Sequence, residues 1–462
     1  MEMCCNSKKL QAVLADLLQG PKHPEHDFVC HGASFADVYE MASCFYAVFA
    51  KAKDKNFPVA LVAEEKAVIA AALLAALASG TVLALPHSFS KIALQQMQDD
   101  TGFTAAIIDH EIKQQHAILP KDTQHIYFKT SSERVALPVE KIAVDGELLI
   151  LFTGGSTGTP QKWSKSAGNI FGEAFYMTDC YQISDTDTIT ATVSPYHIYG
   201  LLFSVLIPLV SSARVLNETP SFPAEITSLV QQESATILVS VPAHYRVLKG
   251  RPLAATVRQA FSSAGMLKKE DSLDFSNCNS IGVIEVYGST ETGGIATRNR
   301  AFGQKYFHPL SPVEWMVKDE RLYVQSPFLS PDLPTNEDGF FLSGDRVQSE
   351  GEECFSLHGR ADAICKVGGV RVDLDEIRDV LQQQPNVKEC VVVPLPDKGG
   401  RGIRIAALLR GDMLNVSKIQ KDVSAVLESA ALPKRIKIIS VIPIKSNGKY
   451  DRDAIVDLFT AQ

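Results

Sequence analysis

Apolar residues along this chain fall into short unbroken runs separated by amphipathic or polar stretches, the pattern of buried strands alternating with covering helices. The clearest case begins at "VALV" and continues through "AVIAAALLAALASGTVLALP", Ala67 to Pro86. The second stretch is uncharged over about the length that a bilayer requires. Its alanine content, the break at Ser79 and Gly80, and the β-branched residues on either side predict strand, buried helix, turn and strand instead. "TAAIID" (Thr104–Asp109) and "ELLILF" (Glu147–Phe152) predict two more buried strands. The polar interval from Glu111 to Lys141 is weakly periodic and reads as an irregular excursion.

Further apolar runs at "DTITATVSP", "ATILVSVP" and "SIGVIEVYG" each end in turn residues. Ligands of open α/β sheets gather beyond the carboxyl ends of the strands, so the loops after these runs are where a site is expected. After about Leu357 the pattern shifts to "RADAICKVGGVRVDLDEIRDVLQQ", "VKECVVVPL", "GIRIAALLRG", a helical stretch at Lys418–Glu428 and "IKIISVIPI". The fold class is therefore α/β, a large N-terminal domain of mixed, mostly parallel sheets with covering helices, plus a small α+β C-terminal domain.

Composition narrows the class of partner. The chain has 462 residues, 45% of them hydrophobic, enough to bury more than one core. Its net charge of −8, without a long Lys/Arg run, argues against nucleic acid or an anionic membrane as the main partner and favours small-molecule chemistry. Nine scattered cysteines without a Cys-x-x-Cys pair read as reduced thiols, from which cytoplasmic residence is expected. No membrane span and no secretory signal is expected.

Five loops carry candidate chemistry. "LFTGGSTGTPQKWSKS" (Leu151–Ser166) follows a strand with glycines that let backbone N–H groups approach an anion, and with hydroxyl donors beside them. It lacks the Gly-Lys-Ser/Thr ending of the nucleoside-triphosphate loop, which excludes a simple kinase or phosphohydrolase of that kind. "VYGSTETGG" offers an aromatic ring, a hydroxyl and the carboxylate of Glu291, suited to Mg²⁺. "FLSGDRV", "LHGRADAICKVGGVRV" and "IPIKSNGKYDRDAI" contribute Asp345, Arg360 with Asp362, and Lys449. Taken one at a time, each reads more readily as a turn, a cap or a surface charge.

In this order and spacing the five motifs resemble the adenylate-forming superfamily of acyl- and aryl-CoA synthetases, adenylation domains and luciferases. The resemblance covers most of the chain and is densest from Phe152 to Arg452. It implies that Thr153, Gly155, Ser156, Thr157, Gly158 and Lys162 hold the ATP phosphates. Ala264 and Gly265 in "SSAGML" would border adenine and the acid, and His197 in "PYHIYG" would line the acyl pocket or gate the thiol channel. Tyr287 and Gly288 would flank adenine, Thr290 the α-phosphate, and Glu291 would bind the metal. Asp345 and Arg360 would hold ribose, and Lys449 would be the catalytic lysine. The same resemblance implies a large domain at 1–358, a hinge at 359–362 centred on Asp362, and a small mobile domain at 363–462.

Two spellings depart from the family pattern. Gln161 stands where a lysine is usual, followed by Lys162 and then Trp163 where glycine is usual, so Lys162 or Lys165 is the candidate replacement cation. Ala363 stands where a second acid is frequent. The reaction implied is ATP-dependent ligation of a small carboxylic acid through an acyl-adenylate, with ATP, Mg²⁺ and CoA, or the phosphopantetheine of an acyl or peptidyl carrier protein, as cofactors and partners. Tyr196, Ile198 and Tyr199 around His197 offer no partner for a substrate ammonium, which favours an apolar acid, aryl ahead of fatty. Tyr450 to Gln462 are too few to fold a carrier domain. The alternatives are a stand-alone adenylation enzyme loading a carrier protein and a non-catalytic AMP-binding relative.

Overall fold

The structure, a computed structural model, describes residues 7–51, 57–109, 118–129, 135–139, 142–153, 161–367, 370–396, 402–444 and 450–460. They form two compact units. The larger takes in the described residues of Met1–Gly155, Pro160–Glu314 and Val324–Phe341, the smaller those of Trp315–Tyr323 and Leu342–Gln462.

One sheet of the larger unit has six strands in the order Gln124–Ile126, Ala105–Ile108, Val59–Val62, Leu83–Leu85, Glu147–Thr153, Gln161–Ser166. Neighbours are parallel except the last pair, a hairpin in which Thr153 faces Gln161. Helix Lys66–Ser79 connects two of the parallel strands and is buried from Lys66 to Leu77, which is why its sequence carries no polar face. It ends at Gly80, whose φ of 70° lets its N–H return to the Ala76 carbonyl. The long apolar stretch is thus strand, helix and strand. Among the described residues no helix is long and apolar enough to cross a membrane.

The second sheet has seven strands in the order His308–Pro309, Gly293–Asn299, Val283–Ser289, Gln259–Ser262, Ile237–Ser240, Thr188–Ala191, Arg214–Val215. From Val283–Ser289 through Arg214–Val215 the pairing is parallel, and at the other edge it is antiparallel. All three apolar runs singled out above are strands of its parallel part. Ser289, Ser262, Ser240 and Ala191 consequently end on one edge, where the loops after them gather.

In the smaller unit, strands Val387–Pro396, Ile403–Gly411 and Arg435–Ile438 form a sheet with apolar residues on both faces. Cys390, Val392, Ala407 and Leu409 pack with Ile377 and Leu381 of helix Leu374–Gln382 and with Ile419 and Val423 of helix Val416–Ser424. The alternate residues Val391, Val393, Ala406 and Leu408 pack with Ile455 and Phe459 of helix Arg452–Thr460. This period of two is the alternation of a strand covered on both sides. Within the apolar run Ile436–Ile444 the strand pairing ends at Ile438. Val441 is exposed and Pro443 has no N–H to give to a ladder.

Candidate active site

Thr153 ends its strand at the mouth of the glycine-rich loop. Gly155, Ser156, Thr157 and Gly158 lie outside the described residues. The indole N–H of Trp163, across the hairpin, donates to Thr153 Oγ1 at 3.2 Å, so the residue that departs from the family spelling fixes the hydroxyl at the loop's start. Lys162 is exposed, whereas Lys165 is 1% exposed, because their positions differ by an odd number along a strand and fall on opposite faces.

Lys165 faces backbone of the neighbouring sheet and of the segment around Phe328. Its ammonium donates to the backbone carbonyls of Phe328 at 2.8 Å and Glu291 at 3.1 Å. Burial pulls its pKa down, and the carboxylates of Glu173 and Glu291 oppose that shift. Glu173, from helix Ala167–Cys180, is fully enclosed. Burial pushes its pKa up, against the pull of Lys165 and of the Gly294 N–H that it accepts at 2.8 Å. A single buried lysine on the six-stranded sheet therefore clasps the Glu291 turn of the seven-stranded sheet. Of the two candidate replacement lysines, Lys162 is exposed and Lys165 is taken up by backbone carbonyls.

The Glu291 turn joins strands Val283–Ser289 and Gly293–Asn299. Ser289 and Thr292 close it through Oγ to Oγ1 at 2.9 Å, leaving Thr290 and Glu291 half-buried at its tip. Gly293 has a φ of 65°, and a Cβ there would lie 2.7 Å from Glu173 Oε2, so the turn can sit on the buried carboxylate only as glycine. A Cβ on Gly288 would lie 2.1 Å from the Gly293 carbonyl oxygen, the same kind of constraint. Tyr287 is half-buried with its ring 5.6 Å from that of Phe307. Next to this strand, Ser263 donates to the Val286 carbonyl at 2.8 Å, which anchors the following loop, where Ala264 (φ 67°) and Gly265 are exposed. Tyr287, Gly288, Thr290, Glu291, Ala264 and Gly265 are therefore brought to neighbouring strand ends.

His197 is half-buried and opens the short helix Ile198–Leu201. Its aromatic neighbours are core. Tyr196 accepts from the Ala63 N–H at 2.8 Å and meets Phe89 edge-on, and Tyr199 packs on Phe203, itself 4.7 Å from Phe261. A polar group missed in the sequence stands nearby in the fold. His244, just past strand Ile237–Ser240, bonds through Nδ1 to Thr192 Oγ1 at 2.8 Å, and Thr192 to Ser240 Oγ at 2.7 Å. Burial lowers the His244 pKa, which keeps the ring neutral near pH 7. The signal was available as a histidine directly after a buried strand at its carboxyl end.

In the smaller unit, Asp345 and Arg360 are direct partners across antiparallel strands Phe341–Ser349 and Phe355–Arg360, with Oδ1 and a guanidinium nitrogen 3.8 Å apart. A Cβ at Gly344 would lie 2.6 Å from the Arg360 guanidinium, and Gly359 adopts a φ of 92° with its would-be Cβ 2.3 Å from Asp375 Oδ2. Gly344 thus makes room for the Arg360 guanidinium, and Gly359 for Asp375, whose carboxylate accepts from the Arg360 backbone N–H at 3.2 Å. Asp362 lies in the one-turn 3₁₀ segment Ala361–Ala363. Lys449 lies outside the described residues.

Comparison with known proteins accords with this arrangement. The AMP-binding enzyme family matches residues 19–329, and the AMP-binding enzyme C-terminal domain matches residues 376–449. An indoleacetate–CoA ligase of Aromatoleum aromaticum is 23% identical over 342 residues, 67% of each chain. A dimodular nonribosomal peptide synthase of Bacillus subtilis is 24% identical over 455 residues, 86% of this chain but 18% of the synthase. The solved structure of ATP-bound MatB from Rhodopseudomonas palustris superposes with a TM-score of 0.83 at 19% identity, covering 98% of this chain and 99% of that one, a likeness of fold.

Proposed function

The chain belongs to the AMP-binding enzyme family, and from that premise we propose that it is an ATP-dependent ligase joining a small carboxylic acid to a thiol. The observation that carries the reading is the Lys165 clasp, which holds the Glu291 turn against the hairpin leading into the glycine-rich loop. A phosphate loop and an acidic turn supported by one buried cation suit a nucleotide and its metal.

In the first step a substrate carboxylate oxygen attacks the α-phosphorus of ATP, the bond to the β-phosphate oxygen breaks, and pyrophosphate leaves. Two anions must meet, so N–H groups and cations have to offset the charge that gathers in the transition state. In this reading Thr153 and the loop after it, with Lys162, hold the outer phosphates, Thr290 the α-phosphate, and Tyr287 with Ala264 and Gly265 the adenine. The Asp345 and Arg360 pair takes the ribose, and Lys449 supplies the decisive positive charge.

The half-buried Glu291 carboxylate, with the Thr290 hydroxyl beside it, is an all-oxygen donor set of the kind that Mg²⁺ takes in part from protein and in part from phosphate. When bound, that ion would neutralise charge on the departing pyrophosphate. In the second step a thiolate attacks the acyl-adenylate carbonyl, the thioester forms and AMP leaves. A pivot at Asp362 would move Lys449 out and the "KVGGVRV" segment in between the two steps.

The acid pocket is proposed at His197 and His244, walled by the aromatic cluster around Tyr199 and Phe203, which favours an apolar acid, aryl ahead of fatty. CoA is the proposed acceptor, since relatives that are CoA ligases match over most of their own length. The phosphopantetheine of a carrier protein is the alternative, represented by the synthase. Cytoplasmic residence is proposed because the seven cysteines among the described residues are all free thiols.

An acid panel assayed for pyrophosphate release, with mass detection of thioesters on CoA and on a carrier protein, tests the whole scheme. Release should require ATP, Mg²⁺ and acid. Unchanged pyrophosphate release in Lys449→Ala would overturn the mechanism, and adenylate accumulating without acyl-CoA would move the acceptor to the carrier.

A further inference from the structure

Away from every loop discussed above, two tight turns of the larger unit bring imidazole and carboxylate groups together. The His23–His26 turn is closed by the His26 N–H donating to the His23 carbonyl at 3.1 Å, which sets the two side chains on one side. Their rings stack 4.5 Å apart at an interplanar angle of 13°. The Ser184–Asp187 turn is closed in the same way at 3.0 Å and again by the Ser184 N–H to Asp187 Oδ2 at 3.0 Å. Asp187 is taken up by Arg258 and Thr236, so it is Asp185 whose carboxylate reaches outward, 3.3 Å from His23 Nε2.

We propose that His23, His26 and Asp185 form a binding site for a divalent transition-metal ion of the zinc class. One ligand atom from each of the three residues lies within 4.8 Å of the other two. Tetrahedral zinc with bonds of about 2.0–2.1 Å needs ligand atoms about 3.3 Å apart. The His23 and Asp185 pair already stands at that separation, whereas His26 has to swing its ring out of the stack with His23, because two near-parallel imidazole planes cannot both point a lone pair at one ion. Two neutral imidazoles and one carboxylate select zinc, cobalt or nickel over magnesium, which prefers an all-oxygen shell. The side chains are 38–41% exposed, so water can complete the coordination and the ion can enter from solvent. Glu25, 3.8 Å from His26 Nε2, adds negative charge beside the site. A bound ion would fasten the segment after helix Ser7–Gln19 to the turn that leads into strand Thr188–Ala191, raising the unfolding temperature as free Zn²⁺ exceeds its Kd, with a logarithmic dependence.

The test is titration calorimetry of the EDTA-treated full chain with Zn²⁺, repeated with excess Mg²⁺, alongside thermal melts with and without Zn²⁺. Wild type should bind one Zn²⁺ that Mg²⁺ does not displace, and should melt higher with it. His26→Gln and Asp185→Asn should each weaken binding about tenfold or more and remove the melting shift, while their metal-free melts stay with the wild type because the groups are half-exposed. Absence of Zn²⁺ uptake by wild type would overturn the proposal. So would equal uptake by wild type and the His23→Ala/His26→Ala double variant, which would assign the zinc to thiols such as Cys180 or Cys278. Neither outcome bears on the ligase reading, which is assayed by pyrophosphate release.

Discussion

Replacing Lys165 by Met removes a buried ammonium and keeps most of the side-chain volume, so it isolates the clasp from packing. The lost contacts are those to the Phe328 carbonyl at 2.8 Å and the Glu291 carbonyl at 3.1 Å, together with the attraction of Glu173. Breaking a buried pair costs about 3–5 kcal/mol, because the carboxylate left behind has no partner charge. Each stranded carbonyl would add about 1–3 kcal/mol if its turn could not relax. These terms overlap, since Glu173 can take up a proton and the Glu291 turn can shift toward other donors. A loss of about 3–5 kcal/mol is therefore the expected total, measured as the difference in urea unfolding between variant and wild type.

The catalytic consequence is separate. A displacement of about 1 Å in a positioning group can cost about 100-fold in rate. In Lys165→Met, kcat for pyrophosphate release should fall by that order, and the Mg²⁺ concentration for half-maximal rate should rise, while KM for ATP changes little. The double variant Lys165→Met/Glu173→Gln distinguishes the two effects. The amide that replaces the Glu173 carboxylate still accepts from the Gly294 N–H but carries no charge, so most of the stability should return while the Glu291 carbonyl remains without its donor and kcat stays low. If Lys165→Met unfolds within about 1 kcal/mol of wild type and keeps kcat within about threefold, the clasp is wrong. A selective rise in the KM for ATP would instead make Lys165 a phosphate contact.

Three further outcomes are expected. Lys162→Ala should raise the KM for ATP about tenfold with kcat nearly unchanged, the effect of one lost charge-assisted contact; an unaltered KM would mean that the loop works without a lysine at this point. His244→Ala, which removes one partner of the Thr192 hydroxyl and leaves its bond to Ser240, should shift the order of acids in the panel through their KM values, and an unchanged order would place the acid elsewhere. Lys66 is buried against the Leu216 and Glu218 carbonyls, and burial brings its pKa from 10.5 down to about 8. The folded chain thus holds fewer protons than the unfolded one between pH 8 and 10.5, so this group's contribution rises with pH across that window by roughly 3 kcal/mol and is lost as pH falls back through 8. Cys30, pushed up to about 11 by burial, acts in the opposite sense, so the measurement is the difference between wild type and Lys66→Met; a difference that stays flat from pH 8 to 10.5 refutes it.

Which parts of this architecture could be read from the sequence follows from where each residue's partners lie. The parallel strands were legible because both of their faces are covered, which leaves continuous apolar runs such as "LLILF" and "ILVS". Asp345 and Arg360 stood out in the sequence as charges beside glycines, and strand register makes them neighbours. The apolar run Ile436–Ile444 shows the converse, since hydrophobicity alone does not report that ladder pairing stops at Ile438. Lys165 was hidden because "QKWSKS" has polar residues on both faces of its strand, so nothing in its periodicity separates an inward lysine from an outward one. Its partners are backbone carbonyls 126 and 163 residues away, and a backbone carbonyl has no spelling. The one local trace is Glu173, a lone acid among the apolar residues of "NIFGEAFYM", on the helix that begins directly after the strand. An isolated acid on a buried helix face must have a partner, and a lysine whose only apparent task was to replace a missing phosphate contact was the residue available to it. Lys165 is committed to the carbonyls of Glu291 and Phe328, which leaves Lys162 as the proposed replacement for the cation absent at Gln161.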